Sequence, residues 1–235
     1  MKVEIWSDVM CPFCYIGKRK FEKALSEFSD RDKIELEWKS FQLAPDMKTT
    51  PGKNIHQYLA EHKGFSLEDA KRMNDLVTAL AAKVGLTYNL DTSIVANSFN
   101  AHRFSHFART KGKQNEAEEK LFHAYFTDGK NIDDIDTLVQ LGNEIGLEPM
   151  DVRTSLETGA FAEDVKADIE EAHQLGVNGV PFFVFNRKYA VSGAQESQAF
   201  TEVLTKSFEE WSKENTNTIK EVADGQVCTP DGECN

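Results

Sequence analysis

Cys11 and Cys14, two residues apart, enclose Pro12 and Phe13 near the start of the chain. A thiol acts as a nucleophile or metal ligand through its thiolate. A cysteine at the N-terminus of a helix gains from unpaired backbone donors and the helix dipole. Read this way, Cys11 is the attacking thiol. Cys14, one turn further in, can close a disulfide with it and would resolve a mixed disulfide. The plainer alternatives are half a zinc site or two inert buried thiols. Zinc usually takes four ligands, and no second C-x-x-C or Cys-His pair is spaced to complete the set, so no metal is expected. The other two cysteines, Cys228 and Cys234, flank Thr229-Pro230-Asp231-Gly232-Glu233. Pro230 and Gly232 fit positions two and four of a type I turn, which would bring those sulfurs toward bonding distance. They are a candidate auxiliary redox pair exchanging electrons with Cys11 and Cys14. They are equally readable as thiols of a loosely attached end that oxidise adventitiously.

The elements around the first pair fit this chemistry. Val3 and Ile5 alternate with Lys2 and Glu4, a strand that ends at Trp6-Ser7-Asp8 just before the cysteines. From Pro12, which suits a first helical position, Cys14, Gly17, Phe21, Ala24, Leu25 and Phe28 make one apolar helical face, with Lys18, Lys20, Glu22 and Lys23 mostly on the other. Ile34, Leu36 and Trp38 then alternate with Glu35, Glu37 and Lys39. A strand-helix-strand unit of this length implies a parallel pair, hence an α/β fold. From about Gly52 to Gly176 the period is helical almost throughout, with about six or seven helices punctuated by glycines. One begins at Ser66-Leu67-Glu68-Asp69 and presents Ala70, Met73, Leu76, Val77, Leu80 and Val84; the last runs from about Phe161 to Leu175. Phe182-Phe183-Val184-Phe185 reads as a buried strand, Asn186-Arg187-Lys188 as a turn and Tyr189-Ala190-Val191 as its partner. A final amphipathic helix carries Phe200, Val203, Leu204, Phe208 and Trp211. The domains expected are a discontinuous one of residues 1–45 and 160–211, a helical insertion of 46–159, and a polar tail of 212–235.

Composition narrows the function classes. The 235 residues are 40% hydrophobic and 28% charged, close to globular averages. Lys plus Arg number 27 against 39 Asp plus Glu, a net charge of -12. That balance argues against phosphate backbones and anionic membrane surfaces as partners. The first residues enter a strand with no apolar stretch of signal-peptide or membrane-span length, so a cytoplasmic location is expected.

Trp6-Ser7-Asp8-Val9-Met10-Cys11-Pro12-Phe13-Cys14-Tyr15-Ile16-Gly17, Ala101-His102-Arg103, Leu121-Phe122-His123-Ala124-Tyr125-Phe126 and Leu175-Gly176-Val177-Asn178-Gly179-Val180-Pro181-Phe182-Phe183 resemble the DsbA-like thioredoxin superfamily, its cytoplasmic FrnE-type oxidoreductases in particular, over about Val3 to Phe208. The resemblance implies a thioredoxin fold with a large helical domain inserted between the second and third strands. It also implies a cis bond between Val180 and Pro181 facing the cysteines, with the Val180 backbone pairing with an extended substrate segment. Pro12, Phe13, Val180 and Pro181 are thus the substrate-binding candidates. Phe13 replaces the imidazole that periplasmic oxidants of the family place between their cysteines. Without that cation a milder oxidant is expected, with isomerase or reductase character. The implied partners are protein thiols and disulfides, with glutathione or a thioredoxin-type protein as reductant and no resident cofactor. The chain would be a monomer or homodimer. The superfamily also holds kappa-class glutathione transferases and 2-hydroxychromene-2-carboxylate isomerases, which resemble this chain in the insert and the Val-Pro loop but typically carry serine where this chain has Cys11. A glutathione-dependent isomerase or transferase acting on a small aromatic or electrophilic compound is therefore the rival enzyme reading. A chaperone-like binder of unfolded chains is a third. Asn97, His102 and Arg103 are candidate cleft residues, although His102 and His106 at helical spacing more often serve structure.

Overall fold

A computed structural model describes residues 1–215. Cys228 and Cys234 lie outside the described residues. In chain order the elements are β1 (Lys2–Ser7), α1 (Pro12–Glu27), β2 (Glu35–Ser40), β3 (Thr50–Asn54), α2 (Ile55–Lys63), α3 (Leu67–Ala82), β4 (Ile94–Val95), α4 (Phe99–Thr110), α5 (Gln114–Phe126), α6 (Ile135–Glu144), α7 (Pro149–Glu157), α8 (Ala162–Gln174), β5 (Phe182–Phe185), β6 (Tyr189–Ser192) and α9 (Ser197–Asn215).

Four strands form the main sheet in the order β2-β1-β5-β6. β1 pairs parallel with β2, Ile5 opposite Trp38, and antiparallel with β5, Ile5 opposite Phe183. Val3 through Ser7 are all buried, because helices cover both faces. On one face Phe21 of α1 and Phe200 of α9 pack edge to face, centroids 5.6 Å apart, with Phe183 of β5 4.7 Å from Phe200. On the other, Trp6, Phe41 and Val184 pack with Ala172 of α8 and Val177. The Trp6 indole donates to the Asp168 carbonyl at 3.0 Å. This is a thioredoxin fold in which the chain between β2 and β5 supplies the helical addition.

That addition differs from expectation in two ways. Seven helices, α2 to α8, lie between β2 and β5, but β3 and β4 pair antiparallel into a small second sheet where helix was expected. The helix α3 is also rotated relative to the expected apolar face. Ala70, Asn74 and Ala81 turn inward, while Met73, Leu76 and Leu80 are 45%, 63% and 42% exposed. Asn74 explains the choice: its amide bonds His56 Nδ1 at 2.8 Å, and His56 Nε2 lies 2.9 Å from Asp91 Oδ1. An apolar stripe on one side of α3 lost to a polar contact on the other.

The addition is riveted to α1. Lys18, expected on the wet face, is 2% exposed. Its ammonium donates to Glu119 of α5 at 2.7 Å and to Glu22 at 2.5 Å. Tyr15 donates to Glu119 at 2.6 Å and stacks on Phe122, centroids 5.0 Å apart. Among the described residues no helix is long and apolar enough to cross a membrane.

Candidate active site

The dithiol sits where β1 hands over to α1. Cys11 is the N-cap of α1, with extended backbone and a side chain that makes no capping bond, so its sulfur is not spent on the helix. Its N–H donates to the Asp8 carbonyl at 2.9 Å, closing the turn after β1. The Cys11 thiol lies 3.6 Å from the Val180 carbonyl oxygen, in donating position. Val180-Pro181 is cis. The fold therefore brings Cys11, Pro12, Phe13, Cys14, Val180 and Pro181 together from opposite ends of the sequence. Both cysteines are unbridged thiols and both are buried, at 4% and 1% exposure, while Phe13 stands out at 41%. Burial, with the Cys11 sulfur beside it, pushes the Cys14 thiol well above the ordinary range.

Gly17 shows how closely α1 passes the proline loop. A Cβ there would come within 2.9 Å of Pro181 Cγ, so only glycine leaves room.

Two residues that sequence reasoning did not single out complete the surroundings. Tyr88, between α3 and β4, donates its hydroxyl to the Pro12 carbonyl at 2.7 Å and stacks on Phe126 at 4.5 Å. Burial raises its pKa, and negative charge on Cys11 would raise it further. Asp8, fully buried, accepts from Met10 N–H at 3.3 Å and from Leu43 N–H at 2.8 Å, fastening the turn before Cys11 to the exit of β2. Its Oδ1 lies 3.5 Å from His102 Nε2. Burial disfavours the imidazolium, but Asp8, with Glu118 and Asp168, outweighs it and raises the His102 pKa. An acidic residue just past a strand is a recognisable side-chain turn signal; Tyr88 had no periodicity to announce it.

The remaining cleft candidates point elsewhere. The Asn97 amide donates to the Met47 and Pro45 carbonyls at 2.7 and 3.1 Å, holding the loop after β2. Arg103 donates to the carbonyls of Ser155, Leu156 and Ala160 at the end of α7. His106 lies 3.0 Å from Asp168 and 3.1 Å from the Ser40 hydroxyl, inside the packing of β2, α4 and α8. Among the described residues no group of three or more His, Cys, Asp or Glu side chains could hold a metal ion.

A protein family described as a DSBA-like thioredoxin domain matches residues 2–205. The fold is similar to that of a probable DsbA oxidoreductase from Streptomyces coelicolor, at 38% identity and a TM-score of 0.83, covering 100% of this chain and 98% of that one. It is also similar to the cytosolic disulfide reductase DsbM from Pseudomonas aeruginosa in its structure with GSH, at 15% identity and a TM-score of 0.64, covering 89% and 100%. The uncharacterized protein YwbO of Bacillus subtilis (strain 168) is 26% identical over 206 residues, 86% of this chain and 95% of that protein.

Proposed function

The chain belongs to the DSBA-like thioredoxin domain family, and on that premise we propose that it exchanges disulfides with protein substrates through Cys11 and Cys14, as a cytoplasmic FrnE-type enzyme of reductase or isomerase character. The observation that carries the reading is the Cys11 thiol 3.6 Å from the Val180 carbonyl, with Cys14 buried behind it. A substrate strand laid along Val180 would bring its disulfide to Cys11 by backbone pairing, a mode that reads shape more than sequence. The Cys11 thiolate attacks one substrate sulfur and expels the other; Cys14 then attacks Cys11 and frees the substrate thiol. The reverse sequence forms disulfides. Glutathione or a thioredoxin-type protein would return the pair to the dithiol, and the DsbM structure solved with GSH makes glutathione the first reductant to try.

The test is a trap. Cys14→Ser in cells should hold substrates on Cys11 as mixed disulfides absent from a control with both cysteines replaced. Cys11→Ser should abolish insulin reduction. Recovery of no partner above the control, with small-molecule isomerisation surviving in Cys11→Ser, would transfer the assignment to the glutathione-dependent isomerase or transferase. The chaperone-like reading draws support from the exposed Met73, Leu76 and Leu80 stripe; it requires aggregation suppression to persist in Cys11→Ser.

A further inference from the structure

We propose that Asp8 and His102 are positioning residues for exchange at Cys11, a buried charge pair through which the protonation of His102 governs the reactivity of the Cys11 thiol. This rests on the disulfide-exchange reading and adds to it a residue of the helical insertion.

Asp8 holds the cysteine turn at three points. Its carbonyl accepts from the Cys11 N–H at 2.9 Å, its carboxylate Oδ1 accepts from the Met10 N–H at 3.3 Å, and Oδ2 accepts from the Leu43 N–H at 2.8 Å. Two backbone donors do not by themselves call for a charge. The adjoining loop shows the neutral solution, where the Asn97 amide donates to the Pro45 and Met47 carbonyls and accepts from the Phe99 N–H at 2.8 Å. At Asp8 the chain instead buries a carboxylate at 0% exposure, which is destabilising unless a partner offsets it.

The partner stands on α4. His102 is 2% exposed, its Nε2 makes no hydrogen bond among the described residues, and that atom lies 3.5 Å from Asp8 Oδ1, the same oxygen that holds Met10. Lacking hydrogen-bond geometry but within ion-pair distance, the contact favours the imidazolium over the neutral ring. A proton on the ring neutralises the pair. Its loss leaves an uncompensated anion fixed to the turn of Cys11, and that anion opposes the build-up of negative charge on the sulfur. Burial opposes the imidazolium, and Asp8 leads the groups that favour it, followed by Glu118 of α5 and Asp168 of α8. Burial also pushes the Glu118 carboxyl up, against the pull of Ser105, His102, Lys18 of α1 and His106; Tyr125 of α5 couples to Asp8.

The covalent step itself is unaltered. The Cys11 sulfur bonds to one substrate sulfur, the substrate disulfide breaks, and its electron pair leaves with the other sulfur, which takes up by way of solvent the proton that Cys11 lost. Asp8 and His102 transfer no proton to the substrate.

Alkylation of the reduced full-length protein by iodoacetamide, quantified at Cys11 by tandem mass spectrometry from about pH 5 to about pH 9, reads this thiol alone. The parent profile should spread over more than one proton's range, because the ring discharges while the thiol ionises. His102→Gln removes the charge and leaves a donor toward Asp8. Its profile should fit one proton, roughly three- to tenfold slower than the parent on the acid side, the scale of one partly screened charge inside a protein, and should meet the parent's on the alkaline side. Asp8→Asn should lower the pH at which the His102 ring titrates by NMR. A parent profile that fits one proton, uniform slowing of His102→Gln at every pH, or an unmoved ring titration in Asp8→Asn would overturn the proposal; the parent profile decides alone if the variants fail to fold. Iodoacetamide is not a disulfide, so failure of the parent to reduce insulin would count against the exchange reading while the alkylation profiles judge the pair.

Discussion

Phe13 occupies the position from which a cation would act most directly on the Cys11 sulfur, and its ring is 41% exposed. Replacing it changes the electrostatics of the dithiol without touching the core. Phe13→His should make the pair more oxidising by roughly 30 mV or more, since for this couple about 30 mV corresponds to about 1.4 kcal/mol of thiolate stabilisation. Equilibration with glutathione buffers measures it, and an unchanged potential would show that something other than this side chain sets the poise. The parent should lie well on the reducing side of about -120 mV. At this scale the two cysteines and the Val180-Pro181 loop were legible, because thiols, a proline and their order in the chain are chemical facts of the sequence. Gly17 and Tyr88 were not, since each acquires its role from a partner more than sixty residues away. Gly17 matters only because Pro181 arrives beside it, and Tyr88 only because its hydroxyl finds the Pro12 carbonyl.

Helix α1 is where element-scale reading succeeded in placement and fell short in environment. Its start at Pro12 was readable from the change of period, yet Lys18 is buried because α5 delivers a carboxylate to it. Burial opposes ionisation of Glu119, but hydrogen bonds from Arg19 and Lys18, with that of Tyr15, hold its carboxyl at about 2 against an ordinary 4.5. The folded-state value is depressed, so the contribution to stability is present above pH 4.5 and is lost as pH falls toward 2. Glu119→Gln should therefore cost about 2 kcal/mol at neutral pH and flatten the acid limb of the unfolding curve. Urea denaturation at pH 7 and pH 3 checks it; equal losses at both would remove the carboxylate from the explanation. The rotation of α3 and the pairing of β3 with β4 were beyond local periodicity. A helix with apolar residues on two sides does not announce which one wins, and Asn74 settles it through His56. A two-residue strand such as β4 has too few positions to alternate.

The described residues form a thioredoxin sheet whose cysteine-bearing helix is clasped by its helical addition, with an exposed apolar stripe on α3. If unfolded chains dock there, Leu76→Asp combined with Leu80→Asp should abolish suppression of aggregation. Global stability should stay within about 0.5 kcal/mol, as expected of surface positions, and exchange with a small disulfide should be unaffected. Retained suppression in the double variant would clear the stripe of that role. The clasp has a different consequence. Tyr88, hydrogen-bonded to Pro12 and stacked in a row of rings with Phe126 and Tyr15, couples electrostatically to both cysteines. Its near-ultraviolet circular dichroism should therefore differ between the dithiol and the disulfide, an expectation that spectra of the reduced and oxidised protein check and that identical spectra would refute.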